Sequence, residues 1–232
     1  MIKLLLRWLG YIIVLFLSLS LLIQAWFLLH IVYWNQYNPS SSAFMQTRWE
    51  IAHQNQPNMK FHYQWVDYEK ISPHLKRAII AAEDSQFLNH TGFDFKAMQS
   101  ALDKNWKEGR WAAGGSTISQ QLAKNLFLSD KKTPWRKLQE AVITYMLEKI
   151  MTKKRILEIY LNIIEWGENV FGAEAASQHY FGVKALTLTA KQAAFLASMV
   201  PNPRFYDRNR TAKKLLRKTD IILKRMPSSR IP

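Results

Sequence analysis

Glu83 and Asp84 stand side by side at the start of Glu83-Asp84-Ser85-Gln86-Phe87-Leu88-Asn89-His90-Thr91-Gly92. They follow a stretch in which Leu75, Ile79 and Ala82 recur at helical spacing. Two carboxylates at the end of a helix oppose its macrodipole, which favours cations there. A local cost of that kind marks candidate functional positions, and a carboxylate beside an apolar group such as Phe87 is suited to general-base work. The ordinary alternative is that both acids are solvated or paired with Lys76 or Arg77. His90 taken alone reads as a hydrogen-bonded structural histidine.

A second cluster is Gly114-Gly115-Ser116-Thr117-Ile118-Ser119-Gln120-Gln121-Leu122-Ala123-Lys124-Asn125. The glycines let backbone approach a ligand closely, and free N–H groups at a helix start bind anions. Thr117, Gln121 and Lys124 fall at i, i+4 and i+7, so one helix face carries a hydroxyl, an amide and an ammonium. That set suits a diphosphate, although the spacing is not that of a P-loop. The bland reading is a glycine turn before an amphipathic helix. In a third cluster, Arg136-Lys137-Leu138-Gln139-Glu140, the i, i+4 pair Arg136 and Glu140 reads by itself as a surface ion pair worth about a few tenths of a kcal/mol. The fourth, Lys153 to Asn162, reads as a packing helix.

The elements that must position these groups are helical. Ser72-Pro73 is an N-cap followed by proline at the first helical position, and Gly92 is placed to end the helix that it opens. Asp94 caps the next. Thr117 and Gln120 form a capping box opening a helix through Phe127. Thr133-Pro134 starts a long helix with Val142, Tyr145, Met146 and Ile150 at core spacing. Thr152 caps another with Ile156, Leu157, Tyr160 and Leu161 inward, and Ala190 to Met199 forms a small buried helix. No alternating run announces a strand, so the fold class is all-α, or mainly α, built of short packed helices.

Trp8 to Leu29 carries no charge. As a helix of about 22 residues it is about 33 Å long, enough for the roughly 30 Å core of a bilayer. Aromatic residues flank it, and Lys3 and Arg7 precede it, while no Lys or Arg follows until Arg48. The positive-inside rule then puts the N-terminus in the cytoplasm and the remainder outside. The run is too long for a usual signal peptide. The division expected is 1–34 for the cytoplasmic tip and transmembrane anchor, 35–60 for a juxtamembrane linker with a short helix, 61–210 for the catalytic domain and 211–232 for a basic C-terminal tail. That tail reads as a terminal helix with one face packed on the domain, or as an amphipathic segment on anionic lipid. The net charge of +15 favours anionic partners. The absence of cysteine excludes a disulfide framework, a thiolate zinc site and a cysteine nucleophile.

Taken together, in this order and spacing, the four clusters resemble the bacterial peptidoglycan glycosyltransferases, the family shared by class A penicillin-binding proteins and monofunctional biosynthetic transglycosylases. The likeness runs from about Ser72 to Tyr206 and rests on Glu-Asp-x-x-Phe-x-x-His-x-Gly, Gly-Gly-Ser-Thr-x-x-Gln-Gln, Arg-Lys-x-x-Glu, Ile-Leu-Glu-x-Tyr-Leu-Asn, and the stretch from Gly167 to Gly182. Ser119 stands where threonine is usual, Phe171 where tyrosine is common, and Lys191-Gln192 where acids are frequent.

The resemblance implies a lysozyme-like glycosyltransferase domain behind one N-terminal transmembrane helix, at the inner membrane. It implies lipid II and lipid-linked glycan as substrates, joined by β-1,4 links with inversion and loss of undecaprenyl diphosphate. By motif, Glu83 resembles the general base and Glu140 the second catalytic carboxylate. Lys124, Arg136 and Lys137 resemble the cations around the diphosphate, with Asp84, Ser116, Thr117 and Gln121 as substrate-binding neighbours. No cofactor and no metal ligands are required by it, though a divalent cation at the diphosphate is compatible with it. Membrane lipid and cell-wall synthesis or division proteins are the expected partners, and nucleic acid is not. A glycan-cleaving enzyme would share fold and glutamate but has no need of a diphosphate site. Ser129-Asp130-Lys131-Lys132 fits S-x-x-K without the partner motifs of a penicillin-binding site.

Overall fold

The computed structural model describes residues 2–55, 58, 60–109, 114–129 and 133–232. Lys132 of the S-x-x-K match lies outside them. The chain divides into two compact units, residues 1–38 and 39–232. The first is one helix, α1 (Ile2–Gln36), which continues past the uncharged run at both ends. It is long and apolar enough to cross a membrane, and little of its most apolar stretch is buried, as expected of a helix solvated by lipid.

The second unit is mainly α. In chain order it contains α2 (Ala43–Asn55), β1 (His62–Tyr63), α3 (Pro73–Glu83), α4 (Phe95–Glu108), α5 (Ile118–Phe127), α6 (Pro134–Ile150) and α7 (Lys153–Ile163). There follow β2 (Glu165–Gly167), β3 (Val170–Phe171), α8 (Ala173–Phe181), α9 (Ala190–Met199), α10 (Pro203–Arg208) and α11 (Lys213–Arg225). The small sheet has the order β1-β3-β2, with β1 parallel and β2 antiparallel to β3. At two or three residues each, these strands are too short to show alternation in the sequence.

Caps fix where most helices begin. The side chains of Ser72, Asp94, Thr117, Thr133 and Thr152 each accept an N–H of the first turn, and Thr117 with Gln120 completes a capping box. Two packing layers organise the core. Helix α9 packs on α3 and α11, and α5 packs on α6 and α7. Ile79, Leu122, Ile143, Leu147, Ile156, Leu157 and Leu196 are fully enclosed. Each such side chain contributes about 1.5–3 kcal/mol of burial free energy.

Two expectations about helices need correction. Helix α3 stops at Glu83, well before Gly92. The Asp84 N–H still bonds to Ile80 O at 3.0 Å, but its backbone leaves the helix and its carboxylate turns to α5. On α6 the inward face is Glu140, Ile143, Thr144 and Leu147, while Tyr145 is exposed. Polar residues on the buried side shifted the apparent apolar stripe. Residues 211–232 include α11, whose Leu215, Thr219 and Ile222 are buried while Lys213, Lys214, Arg217, Lys224 and Arg225 face outward.

Candidate active site

Glu83 is the last residue of α3, so its side chain projects where the helix ends and the chain turns. Its oxygens are held differently. Gln121 Nε2, from the first turns of α5, donates to Oε2 at 3.1 Å. Lys218 Nζ, from α11, lies 3.6 Å from Oε1. The Glu83 side chain retains 12% exposure, so it is recessed without being sealed. Behind it the Tyr160 hydroxyl, from α7, donates to Gln121 Oε1 at 2.8 Å.

Asp84 has a different fate. Its side chain is 2% exposed. His90 Nε2 lies 2.9 and 3.1 Å from its two oxygens, and the Ile118 N–H donates to Oδ2 at 3.0 Å. The Gly92 N–H donates to His90 Nδ1 at 3.1 Å, which places the ring proton on Nε2, facing Asp84. Asp84 thus sits at the positive end of α5, where a carboxylate is favoured. The macrodipole cost inferred from α3 is offset by the next helix. In this arrangement Asp84 braces two segments from within, and both its oxygens are engaged by protein groups.

Thr117 is likewise a brace. It is buried, and its hydroxyl donates to Gly92 O at 2.6 Å while accepting from Gln120 N–H. It therefore does not share an open face with Gln121 and Lys124. Gly92 has φ of +95°, and a Cβ there would lie 2.9 Å from Thr144 Cγ2. A Cβ at Gly115 would lie 2.8 Å from Met98 Cα, so this glycine admits the backbone of α4.

Glu140 is also buried, its side chain 4% exposed, and it is clasped by two cations of its own helix. Arg136 Nη1 donates to Oε2 at 2.8 Å, and Lys137 Nζ bonds to Oε1. The pair is intrahelical, as the spacing suggested. With the carboxylate out of water, breaking it costs far more than a surface pair. A net positive charge remains on the trio.

Two of the candidate cations, Lys124 and Lys137, line separate cavities, while Arg136 is engaged with Glu140. Lys124, Gln121 and Asn125 line one of about 280 Å³ together with Arg48, Glu165 and Arg204. There Arg204 Nε donates to Glu165 Oε1 at 2.7 Å, and Arg48 Nε lies 3.7 Å from Oε2. Lys137, Ser116, Gly114, Gly115 and Gln120 line another of about 280 Å³ against α4. Both flank α5, one toward its N-terminal end and one along its later turns. The sequence did not mark Arg48, Glu165, Arg204, Tyr160 or Lys218 as site residues. Tyr160 alone carried a readable signal, as a member of the Ile-Leu-Glu-x-Tyr-Leu-Asn motif, where it reads as a packing residue.

A recessed carboxylate and a fixed amide suit deprotonation of an alcohol, and the lysines in the cavities that flank α5 suit an anionic leaving group. A model of the family described as Transglycosylase matches residues 50–227. The chain belongs to the transglycosylase family. It is a glycosyltransferase enzyme, and the mainly α, lysozyme-like fold implied by its motifs is the one found. Among similar proteins, a transglycosylase of Nitrosospira multiformis is 61% identical over 226 residues, covering 97% of this chain and 98% of that protein. One from Nitrosomonas eutropha is 59% identical over 225 residues, covering 97% and 92%. One from Methylobacillus flagellatus is 57% identical over 216 residues, covering 93% and 94%. All three are named biosynthetic peptidoglycan transglycosylase. All the family motifs of this transglycosylase except the Gly167–Gly182 stretch meet around α5: the end of α3 through Glu83 and Asp84, α6 through packing, and α7 through Tyr160.

Proposed function

We propose that this transglycosylase polymerises lipid II into β-1,4-linked peptidoglycan strands at the extracytoplasmic face of the inner membrane, its N-terminus lying in the cytoplasm. The observation that carries the reading is Glu83: a recessed carboxylate with a neutral amide on Oε2 at 3.1 Å and its other oxygen toward Lys218. Glu83 takes the proton of the acceptor's 4-hydroxyl as that oxygen attacks the donor's anomeric carbon from the face opposite the undecaprenyl diphosphate. Attack from that side inverts the centre. The leaving diphosphate gains charge as the bond breaks, and fixed cations stabilise it more than the ground state. Lys124, Arg136 and Lys137 supply those cations, and Glu140 aims the last two. Ser116 stands exposed beside Lys137 as a hydrogen-bonding neighbour of the same group.

In this reading the protein's own cations stabilise the leaving diphosphate. A divalent cation, where one takes part, would enter with the diphosphate. The test is purified full-length protein with lipid II, with and without EDTA. Lipid II should be consumed and glycan made in both. Solubilisation of purified cell wall with lipid II left intact would contradict the reading and indicate a glycan-cleaving enzyme.

A further inference from the structure

Gln121 was expected to contact substrate, yet both ends of its amide are engaged within the protein. The carbonyl oxygen accepts from the Tyr160 hydroxyl at 2.8 Å, and the amino group donates to Glu83 Oε2 at 3.1 Å. We propose that Tyr160 is a positioning residue which, by fixing the orientation of the Gln121 amide, anchors Glu83 through Oε2 and reserves Oε1 as the atom that takes the acceptor's proton. This rests on the reading of Glu83 as the base.

A side-chain amide has two orientations related by a half turn, with oxygen and nitrogen exchanged. In the reversed one Gln121 Oε1 would meet the Glu83 carboxylate, and the Gln121 amino group would meet the phenol hydrogen. Both contacts are unfavourable: the first sets two acceptors against each other, and the second leaves Tyr160, fully enclosed, without an acceptor for its hydrogen. Burial, reinforced by the charges of Glu83 and Asp84, holds the Tyr160 phenol well above its ordinary range. It therefore stays a donor beyond the range of an ordinary phenol. The direction of the whole chain, Tyr160 to Gln121 to Glu83, is fixed at both ends, by a buried phenol that must donate and a carboxylate that only accepts.

The consequence falls on the two oxygens of Glu83. Oε2 is occupied by a neutral donor that has no proton to lose. Oε1 faces Lys218 Nζ at 3.6 Å, beyond a hydrogen bond. The charged and titratable groups around Glu83 are Lys218 from α11, Tyr160 from α7 and its neighbour Asp84, whose own oxygens are taken by His90 and Ile118 N–H. The acceptor hydroxyl therefore approaches Oε1. Its O–H bond breaks, its oxygen bonds to the anomeric carbon, the bond from that carbon to the diphosphate breaks with the electron pair leaving on the diphosphate, and the proton rests on Oε1. An amide fixed in advance spares the reorganisation that a mobile donor would need.

The test compares Tyr160→Phe, Gln121→Ala and the double variant of the full-length protein in lipid II polymerisation. Each single variant should lower kcat about tenfold, the worth of a hydrogen bond to a charged group, with KM within about twofold. The double variant should match Gln121→Ala, because the phenol acts through the amide. The acid limb of the kcat/KM profile should move to higher pH in both, since the carboxylate has lost a donor that favours its charged form. A wild-type kcat in folded Tyr160→Phe, a raised KM at unchanged kcat, or additive losses would each overturn the assignment. Gln121→Ala, at a partly exposed position, keeps the test alive if Tyr160→Phe does not fold: wild-type kcat there overturns it alone. Activity in Glu83→Gln would instead remove the underlying reading of Glu83, so the two failures are distinguishable.

Discussion

The end of α3 and the first turns of α6 each carry a motif glutamate, and they hold it in opposite ways. Glu83 meets a neutral amide and, at 3.6 Å, one lysine, and keeps 12% exposure. Glu140 is clasped by Arg136 and Lys137 and keeps 4%. A base must have an oxygen available to a proton. A carboxylate whose oxygens are both committed to cations is poor at that, but it is well placed to aim those cations at something else. Environment, more than residue type, separates the two roles. Asp84 extends the comparison: one residue from Glu83, with both oxygens taken by His90 and the start of α5, it has become part of the framework.

The largest expected effect tests the first half of that contrast. Glu83→Gln should cut the initial rate of lipid II polymerisation by about 10³-fold, within the range for loss of a general base, with the same thermal midpoint as wild type. Glu140→Gln should act on both rate and fold. It leaves Arg136, which is 17% exposed, without its counter-charge, while Lys137, half exposed, returns to water. The expected cost is about 2–3 kcal/mol in urea unfolding, with a loss of turnover smaller than that of Glu83→Gln. Equal rate losses with unchanged stability would erase the distinction. Asp84→Asn should lower stability by about 1–2 kcal/mol through the weakened contact with the α5 N-terminus, read as a lower urea midpoint. The smallest effect should belong to Lys218→Met. Its amine is a third exposed and makes no hydrogen bond to Glu83, so kcat should fall only about two- to fivefold, less so at high salt.

Much of this was legible in the residues. The caps at Ser72, Asp94, Thr117, Thr133 and Thr152 place helix starts because they satisfy specific N–H groups, a local matter. The motifs placed Glu83, Gln121, Lys124 and Glu140 because their order is characteristic. What was not legible came from contacts distant in sequence. The end of α3 is set by Asp84 reaching Ile118, thirty-four positions on. The inward phase of α6 was hidden because Glu140 and Thr144 share the buried face with Ile143 and Leu147, so apolar spacing alone chose the wrong stripe. Gly115 suggested a ligand loop, whereas the atom it makes room for is Met98 Cα. Lys218 lay within a basic run that reads as a solvated face, and only packing of Leu215, Thr219 and Ile222 turns it toward Glu83.

The central claim is that Glu83 acts on a proton and does not hold the substrate. It is tested most directly by measuring lipid II binding and glycan formation in one sample of purified Glu83→Gln. Binding at wild-type affinity with no glycan formed is the expected result. Glycan made at near wild-type rate would contradict it.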